Sequence, residues 1–135
     1  MENIHIEPYT EYNEAEILRL YSAVGWVAYT RDPDSLRRGY ENSLFTLAAY
    51  EGDELIGIIR TVGDGATIVY IQDIIVLPEH QGRGVGTALI QAILEKFRAV
   101  RQIVLATDDT ERTVAFYKKQ GLTPMSEYGC CGFMK

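Results

Sequence analysis

The sequence lacks the features that would place it in a membrane or direct it out of the cell. None of its apolar runs approaches the ~20 residues needed to span a bilayer. The first residues, MENIHIEPYTEYNE, contain neither a basic leader nor the apolar core of a secretory signal. We therefore expect a cytoplasmic protein with no membrane partner.

Cysteine is scarce, and the only two cysteines, Cys130 and Cys131, are neighbours in the chain. A disulfide between adjacent residues requires a strained ring, so the pair predicts free thiols in a reducing compartment. Such a pair could instead be a redox switch or half of a metal site. The chain has no Cys-x-x-Cys spacing and no nearby histidine cluster, so we expect no metal.

Positive charge is in deficit, because 13 lysines and arginines face 19 aspartates and glutamates, for a net charge of -6. Such a balance repels phosphate backbones on average, so nucleic acid is not an expected partner. The composition, 47% hydrophobic and 24% charged, is typical of a globular chain rather than a disordered or fibrous one. We predict a single domain over residues 1–135.

Helix-like and strand-like patterns alternate along the chain and predict its architecture. Strands are predicted at 4–7, 44–50, 55–62, 67–77 and 103–107, with one or two closing strands in 122–135. Helices are predicted from 10 to 25, from 33 to 42 and from 108 to 121, with a loop at 26–32. A further helix is opened by the glycine-rich stretch 80–86 and has Val85, Leu89, Ile93 and Phe97 on its apolar face. The order predicts an α/β (mixed α+β) fold in three layers, with helices on both faces of a mixed, mostly antiparallel sheet whose central strand is 67–77.

Short polar motifs predict where several elements begin or turn. Asp32 precedes Pro33 as a cap precedes the first helical residue. The cluster 51–53 predicts a hairpin, and 63–65 predicts a second turn. Asp108, followed three residues later by Glu111, is typical of a capping box.

A glycine-rich stretch, Gln81-Gly82-Arg83-Gly84-Val85-Gly86-Thr87, lies between a predicted strand and a predicted helix. Backbone N–H groups and the helix dipole favour an anion at such a point, and glycine lets the backbone approach phosphate oxygens or adopt a positive φ. A Walker loop needs lysine where Gly86 stands, and a dinucleotide fingerprint needs its third glycine one residue later. The alternative is that the glycines only tighten a turn.

The pattern that remains is Q/R-x-x-G-x-G/A. Together with Ile74-Ile75-Val76-Leu77-Pro78-Glu79 and Ala115-Phe116-Tyr117-Lys118-Lys119-Gln120-Gly121-Leu122, it resembles the GCN5-related N-acetyltransferase (GNAT) family over nearly the whole chain. The stretches 24–26, 42–43 and 63–65 are similar to a small-chain branch that includes plant plastid arylalkylamine acetyltransferases.

The resemblance implies a GNAT-like three-layer α/β/α sandwich and an enzyme that moves an acetyl group from acetyl-coenzyme A to an amine. It implies that the loop from Gln81 to Thr87 binds the pyrophosphate and that the pantetheine arm pairs with backbone near Ile74 and Val76. It also implies cofactor contacts at three positions of the predicted helix 108–121, which are Thr110, Phe116 and Tyr117. At the position of Thr110 the family often has asparagine.

Direct acetyl transfer requires a proton donor for the leaving thiolate and a proton acceptor for the amine. Tyr117 matches the family's donor; alternatively, Phe116 and Tyr117 only anchor a helix. Asp73 interrupts an apolar strand and is our candidate base, directly or through water, which Gln72 could orient; alternatively, it is a carboxylate paired with an arginine.

The acceptor is expected to be a small primary amine. Trp26, Tyr29 and Arg31 occupy the loop that walls the acceptor cleft in the family, and an aromatic wall suits an aryl or alkyl amine. Asp32 is one of several carboxylates that could attract a cationic amine. The alternatives are a non-catalytic acyl-coenzyme A binding module and acetylation of a protein lysine or N-terminus. The family also implies a homodimer, for which the aromatic tail could form the interface.

Overall fold

The computed structural model describes residues 3–135. Contacts group the chain into two compact units, Met1–Val104 and Leu105–Lys135. The strands are β1 (Ile4–Pro8), β2 (Phe45–Glu51), β3 (Glu54–Gly63), β4 (Val69–Val76) and β5 (Ile103–Leu105). The helices are α1 (Glu14–Ala23), α2 (Val27–Thr30), α3 (Pro33–Glu41), α4 (Val85–Lys96) and α5 (Glu111–Lys119), with short 3-10 helices at Pro78–His80 and Met125–Tyr128. That all 135 residues form a single domain stays a prediction.

The strands form one sheet in the order β1-β2-β3-β4-β5, and β1 to β4 pair antiparallel with their neighbours. The prediction that 67–77 is the central strand is wrong, because β3 lies in the middle and β4 lies next to an edge. Both strands are rich in buried aliphatic residues. A long β-branched run therefore indicates burial and does not indicate which buried strand is central.

The two faces of β3 show why the fold has three layers. A side chain at Gly57 would lie 3.3 Å from both Val85 and Leu89 of α4. Arg60, three residues further along the strand, lies against Gly39 of α3. Since successive side chains of a strand point to opposite faces, α4 and α3 cover opposite faces of the sheet. The predicted layering is confirmed.

The helices before β2 begin where polar side chains cap them. The first helix starts at Glu14 rather than near residue 10, because the Asn13 side chain accepts a hydrogen bond from the N–H of Glu16 at 3.0 Å. The predicted cap of α3 is confirmed, since Asp32 accepts from the N–H of Ser35 at 3.2 Å. The segment 26–32, predicted as a loop, contains α2.

Both predicted turns around β3 are present. The hairpin joins β2 and β3, whose end residues Glu51 and Glu54 are paired. After β3, Asp64 accepts hydrogen bonds from three successive backbone N–H groups, those of residues 66 to 68, at 2.8 to 3.1 Å. These bonds fix the turn that leads into β4, because an aspartate can satisfy backbone donors directly after it.

In the second unit, two predictions are wrong. The cap of α5 is Thr110 rather than Asp108: Thr110 has an extended backbone and accepts from the N–H of Thr113 at 3.2 Å. Residues 122–135 form no strand; they contain the 3-10 helix Met125–Tyr128, which ends at Gly129 with φ +74°. Across residues 3–135, no helix combines the length and apolarity needed to cross a membrane.

Candidate active site

The candidate site in the first unit is built around a buried ion pair. Arg60 and Asp73 are direct partners in the β3–β4 ladder. Asp73 accepts from Nε of Arg60 at 3.0 Å, and Nη2 lies 2.9 Å from the same oxygen, Oδ2. The two side chains are only 7% and 2% exposed. Asp73, the candidate base, thus has an arginine partner.

Two tyrosines complete the surroundings of Asp73. The hydroxyl of Tyr21, from α1, donates to Oδ2 at 2.8 Å, and the hydroxyl of Tyr29, from α2, donates to Oδ1 at 2.9 Å. Burial raises the pKa of Tyr21 far above its usual value, so this hydroxyl stays protonated as a donor. Asp73 thus accepts hydrogen bonds at both of its carboxylate oxygens. Its role as a base stays a prediction.

The guanidinium of Arg60 is held on its other side by α3 and by Ser43, two residues beyond the end of that helix. Nη1 donates to Oγ of Ser43 at 3.2 Å, and that hydroxyl donates to the carbonyl of Gly39 at 2.7 Å. The ring of Tyr40 lies 5.2 Å from the guanidinium. Burial by itself lowers the pKa of Arg60, but Asp73 and the neighbouring tyrosines raise it above its usual value. Arg60 is therefore a fixed positive charge.

A pocket of about 240 Å³ adjoins this ion pair. It is lined by residues of α2, α3 and β3 and of the turn between the two helices: Ala28, Tyr29, Asp32, Ser35, Leu36, Gly39 and Arg60. Of the three predicted substrate residues, Tyr29 lines it. Trp26 packs against the Tyr29 ring at 6.2 Å between centroids and supports this wall. Arg31 is exposed and is not among the lining residues.

Tyr29 connects the pocket to the ion pair. Besides donating to Asp73, its hydroxyl accepts from Nε2 of Gln72 at 3.1 Å. Burial raises the pKa of Tyr29, Gln72 lowers it, and Asp73 raises it again, so the net shift is upward. The phenol is thus neutral and oriented near physiological pH. A neutral phenol oxygen can accept a further hydrogen bond from a ligand.

The glycine loop has the geometry expected of an anion-binding turn. Gly82 and Gly84 have φ angles of +79° and +83°, which confirms that positions in the loop require positive φ. Gly84 caps α4 without a side chain, and the first-turn N–H groups of a helix have no partner within the helix. The Gln81 side chain donates to the Val76 carbonyl at 3.0 Å and ties the loop to β4. These features fit a bound diphosphate.

Arg83, a residue of the glycine loop, is directed toward the β2–β3 hairpin. Its Nη2 lies 2.8 Å from Oε2 of Glu51, and its Nη1 lies 2.7 Å from Nδ1 of His80. The side chains of Arg83 and Glu51 are 38% and 33% exposed. The arginine is accessible but already paired.

In the second unit, Tyr117 lies on α5 and forms a hydrogen bond with the Thr107 side chain. Burial raises its pKa, the Thr107 bond lowers it and Asp108 raises it, for a net upward shift. Its ring packs edge-on against Phe116 at 5.0 Å. A half-buried, protonated phenol has the chemistry of a proton donor and also that of a helix anchor, so both predictions stay open. The Thr110 hydroxyl caps its own helix, and its cofactor contact stays a prediction.

Sequence reasoning named Asp73 and Tyr29 separately, and the structure brings them together. It did not name Arg60 or Tyr21 as site residues. A signal for Arg60 was present, because it is the only charge within the apolar run from Leu55 to Val62, just as Asp73 is within β4. Two opposite charges inside neighbouring apolar strands indicate a pair. Tyr21 had no comparable signal, since tyrosine is common in helices that pack on a core.

Comparison with known proteins agrees with this geometry. The family model described as the acetyltransferase (GNAT) family matches residues 4–122. A GNAT-family acetyltransferase structure from Streptococcus pneumoniae superposes with a TM-score of 0.89 at 37% identity, over 98% of this chain and 96% of the other.

Two sequence relatives match this chain over only part of their own length. An uncharacterized ycf52-like N-acetyltransferase of Prochlorococcus marinus is 30% identical over 125 residues, which are 87% of this chain and 67% of the relative. N-alpha-acetyltransferase 30 of Schizosaccharomyces pombe is 34% identical over 84 residues, which are 57% of this chain and 56% of the relative. The chain is a member of the GNAT family of acetyltransferases.

Proposed function

We propose that this chain transfers an acetyl group from acetyl-coenzyme A to a small primary amine by direct attack of the amine on the thioester. In this reaction a C–N bond replaces a C–S bond, the amine loses a proton and the departing sulfur gains one. The observation that carries the proposal is the pocket beside Tyr29, which adjoins the ion pair of Arg60 and Asp73. Acetyl-coenzyme A supplies the activated acetyl group when bound.

The glycine loop supports the coenzyme part of the proposal. Gly82 and Gly84 leave the backbone without side chains at the start of α4, and a helix N-terminus favours a diphosphate. The strand β4 has eight residues and β5 has three, so β5 can pair with only part of β4. The hydrogen bond from the Val69 N–H to the Gln102 carbonyl lies at the start of β4. We place the pantetheine arm at the other end of β4, along Ile74 and Val76.

The pocket supports a small acceptor. Its volume of about 240 Å³ lies below the roughly 300–1,000 Å³ of pockets that hold drug-sized ligands. Tyr29 and Leu36 give it apolar walls, and Asp32 adds a carboxylate that forms no ion pair within residues 3–135. Because Asp73 neutralises Arg60, Asp32 leaves the pocket with one negative charge, which favours a cationic amine over an anion.

We assign the two proton transfers to Tyr117 and Asp73. Tyr117, whose pKa is raised by burial, donates a proton to the departing thiolate. Asp73 is 3% exposed, so an amine in the pocket meets the Tyr29 hydroxyl before it meets the carboxylate. Asp73 therefore acts through Tyr29 or a water molecule. No metal is needed, and a cytoplasmic location and a homodimer stay part of the proposal.

Acetylation of a protein N-terminus is the second candidate, because the sequence is similar to that of N-alpha-acetyltransferase 30. A non-catalytic acyl-coenzyme A binding module is the third. A thiol-release assay with acetyl-coenzyme A and arylalkylamines, polyamines, amino acids and N-terminal peptides separates the three. The proposal expects turnover with a small amine, an increased KM for that amine in Tyr29→Phe, and a reduced kcat in Tyr117→Phe. Turnover with peptides alone would overturn the proposal, and so would the absence of turnover with every acceptor.

A further inference from the structure

The interaction of Arg83 with the β2–β3 hairpin has a consequence for coenzyme binding. Both terminal nitrogens of its guanidinium are engaged, one by Glu51 at 2.8 Å and the other by His80 at 2.7 Å. A guanidinium binds a phosphate best through two parallel N–H groups. These two contacts hold the guanidinium beside the hairpin, so turning both terminal nitrogens toward a diphosphate on its own loop breaks at least one of them.

We propose that Glu51 and His80 are positioning residues that hold Arg83 away from the diphosphate and so limit the affinity for the coenzyme. The inference rests on the proposed function only in taking the glycine loop as the diphosphate site. Arg83 is then shared between two anions: the Glu51 carboxylate, which is always present, and the diphosphate, which is present only with the coenzyme.

The His80 ring is suited to this role. An arginine can only donate, so the 2.7 Å contact requires Nδ1 of His80 to be an unprotonated acceptor. The carboxylates of Glu51 and Glu54 lie 3.9 Å from its two ring nitrogens, and Glu54 is itself paired with Arg19 at 3.2 Å. His80 is 8% exposed, so it forms a fixed support beside the more mobile Arg83 side chain.

Because the side chains of Arg83 and Glu51 are partly exposed, Glu51 competes only weakly with a diphosphate for Arg83. Ion pairs between partly exposed side chains contribute about 0.2–1 kcal/mol, which corresponds to a change in affinity of up to about fivefold. The release of Arg83 therefore adjusts coenzyme affinity rather than switching it on or off. A change of this size appears in the KM for acetyl-coenzyme A and leaves kcat unchanged.

The test is calorimetric titration of the full chain with coenzyme A and, separately, with pantetheine, which lacks the diphosphate. Glu51→Gln is expected to bind coenzyme A about two- to fivefold more tightly and pantetheine as the wild type does. Asp53→Asn is the matched control, because it removes the same charge from the same turn at a residue that forms no ion pair within residues 3–135. It is expected to change coenzyme A binding by less than about 1.5-fold.

Arg83→Gln distinguishes release of the arginine from simple loss of a repelling charge. In that background, Glu51→Gln is expected to have no effect on coenzyme A binding, because no arginine remains to be released. The inference would be overturned if Glu51→Gln tightened coenzyme A binding equally in the wild type and in Arg83→Gln, or if Glu51→Gln bound coenzyme A more weakly than the wild type. The proposed function would stand in both cases. A wild-type chain that binds pantetheine but shows no added affinity for coenzyme A would overturn the assignment of the loop itself.

Discussion

Two arginines of the first unit form ion pairs of opposite character. Arg60 and Asp73 are 7% and 2% exposed, and tyrosine hydroxyls complete the hydrogen bonding of the carboxylate. Arg83 and Glu51 are 38% and 33% exposed. Arg83 lies on the glycine loop, and Glu51 lies at the β2–β3 hairpin. The first pair is closed to solvent and the second is open to it.

An arginine–carboxylate pair therefore serves two purposes in this chain. A buried pair is strongly destabilised when one partner is removed, because the remaining charge has no water around it. A partly exposed pair exchanges easily with water, salt or another anion. The Arg60 pair therefore holds the wall of the acceptor pocket in place, whereas the Arg83 pair can yield to a ligand.

The largest expected effect is that of breaking the buried pair. Asp73→Asn keeps the shape of the side chain and leaves Arg60 as an uncompensated buried charge, which costs about 3–5 kcal/mol. Urea denaturation is expected to show this loss in the free energy of unfolding, against less than about 0.5 kcal/mol for the exposed control Asp53→Asn. Equal stability of the two variants would show that Arg60 and Asp73 are not coupled in solution.

The tyrosines around the buried pair predict a limit at alkaline pH. Burial raises the pKa values of Tyr21, Tyr29 and Tyr40, and burial raises the pKa of Tyr9, beside them, to about 12. A raised pKa contributes stability that is fully present below the unfolded value, near 10, and is lost as the pH rises through the folded value. Stability is expected to fall from pH 10 to pH 12.

Absorbance at 295 nm, which reports tyrosinate, measures this limit together with circular dichroism. The buried tyrosines are expected to ionise only as the chain unfolds. Their titration near pH 10 in a chain that stays folded would mean that the hydroxyls around Asp73 are open to solvent, which contradicts the closed character of the pair.

An intermediate loss of stability is expected for a substitution in the glycine loop. Gly82 has φ +79° and open space where a Cβ would be placed, so an alanine there is strained by backbone conformation alone. Gly82→Ala is expected to destabilise the chain by about 1–2 kcal/mol. Gly132→Ala, in equally open space without a positive φ, is the control for thermal unfolding and is expected to be neutral or slightly stabilising. Equal melting temperatures would show that the loop relaxes away from positive φ.

The smallest expected effect on stability is that of the open pair. Glu51→Gln is expected to change the free energy of unfolding only slightly, and the change should disappear in 1 M salt, where the Debye length is only about 3 Å. The loss caused by Asp73→Asn should persist in the same salt. If salt abolished both effects, the distinction between the closed and the open pair would be wrong.

The parts of the fold that were predictable depend on local signals. Asp32 before Pro33 marks a helix start within three residues of sequence, and the positive φ of the loop follows from its glycines. Local reasoning fails where two residues compete, as at the start of α5, where Asp108 and Thr110 are both good caps. It also misses α2, which is a single helical turn and too short to show a period.

The site was less predictable because it depends on register and packing. Arg60 and Asp73 meet because they are paired across β3 and β4, and the register shifts directly after Arg60. The composition of the turn between β3 and β4 does not predict that shift in register. Tyr21 joins them only because α1 packs on the same face of the sheet. Each of these contacts joins residues far apart in the chain, where sequence spacing carries little information.

The most direct test of the central claim, that the glycine loop binds the diphosphate of the coenzyme, compares Gly84→Asp with Gly84→Asn. Both side chains are tolerated at a positive φ, have nearly the same size and differ by one negative charge. Calorimetric titration with coenzyme A is expected to show at least tenfold weaker binding for Gly84→Asp than for Gly84→Asn, because a carboxylate on the loop repels a diphosphate bound there. Equal affinity of the two variants would contradict the account.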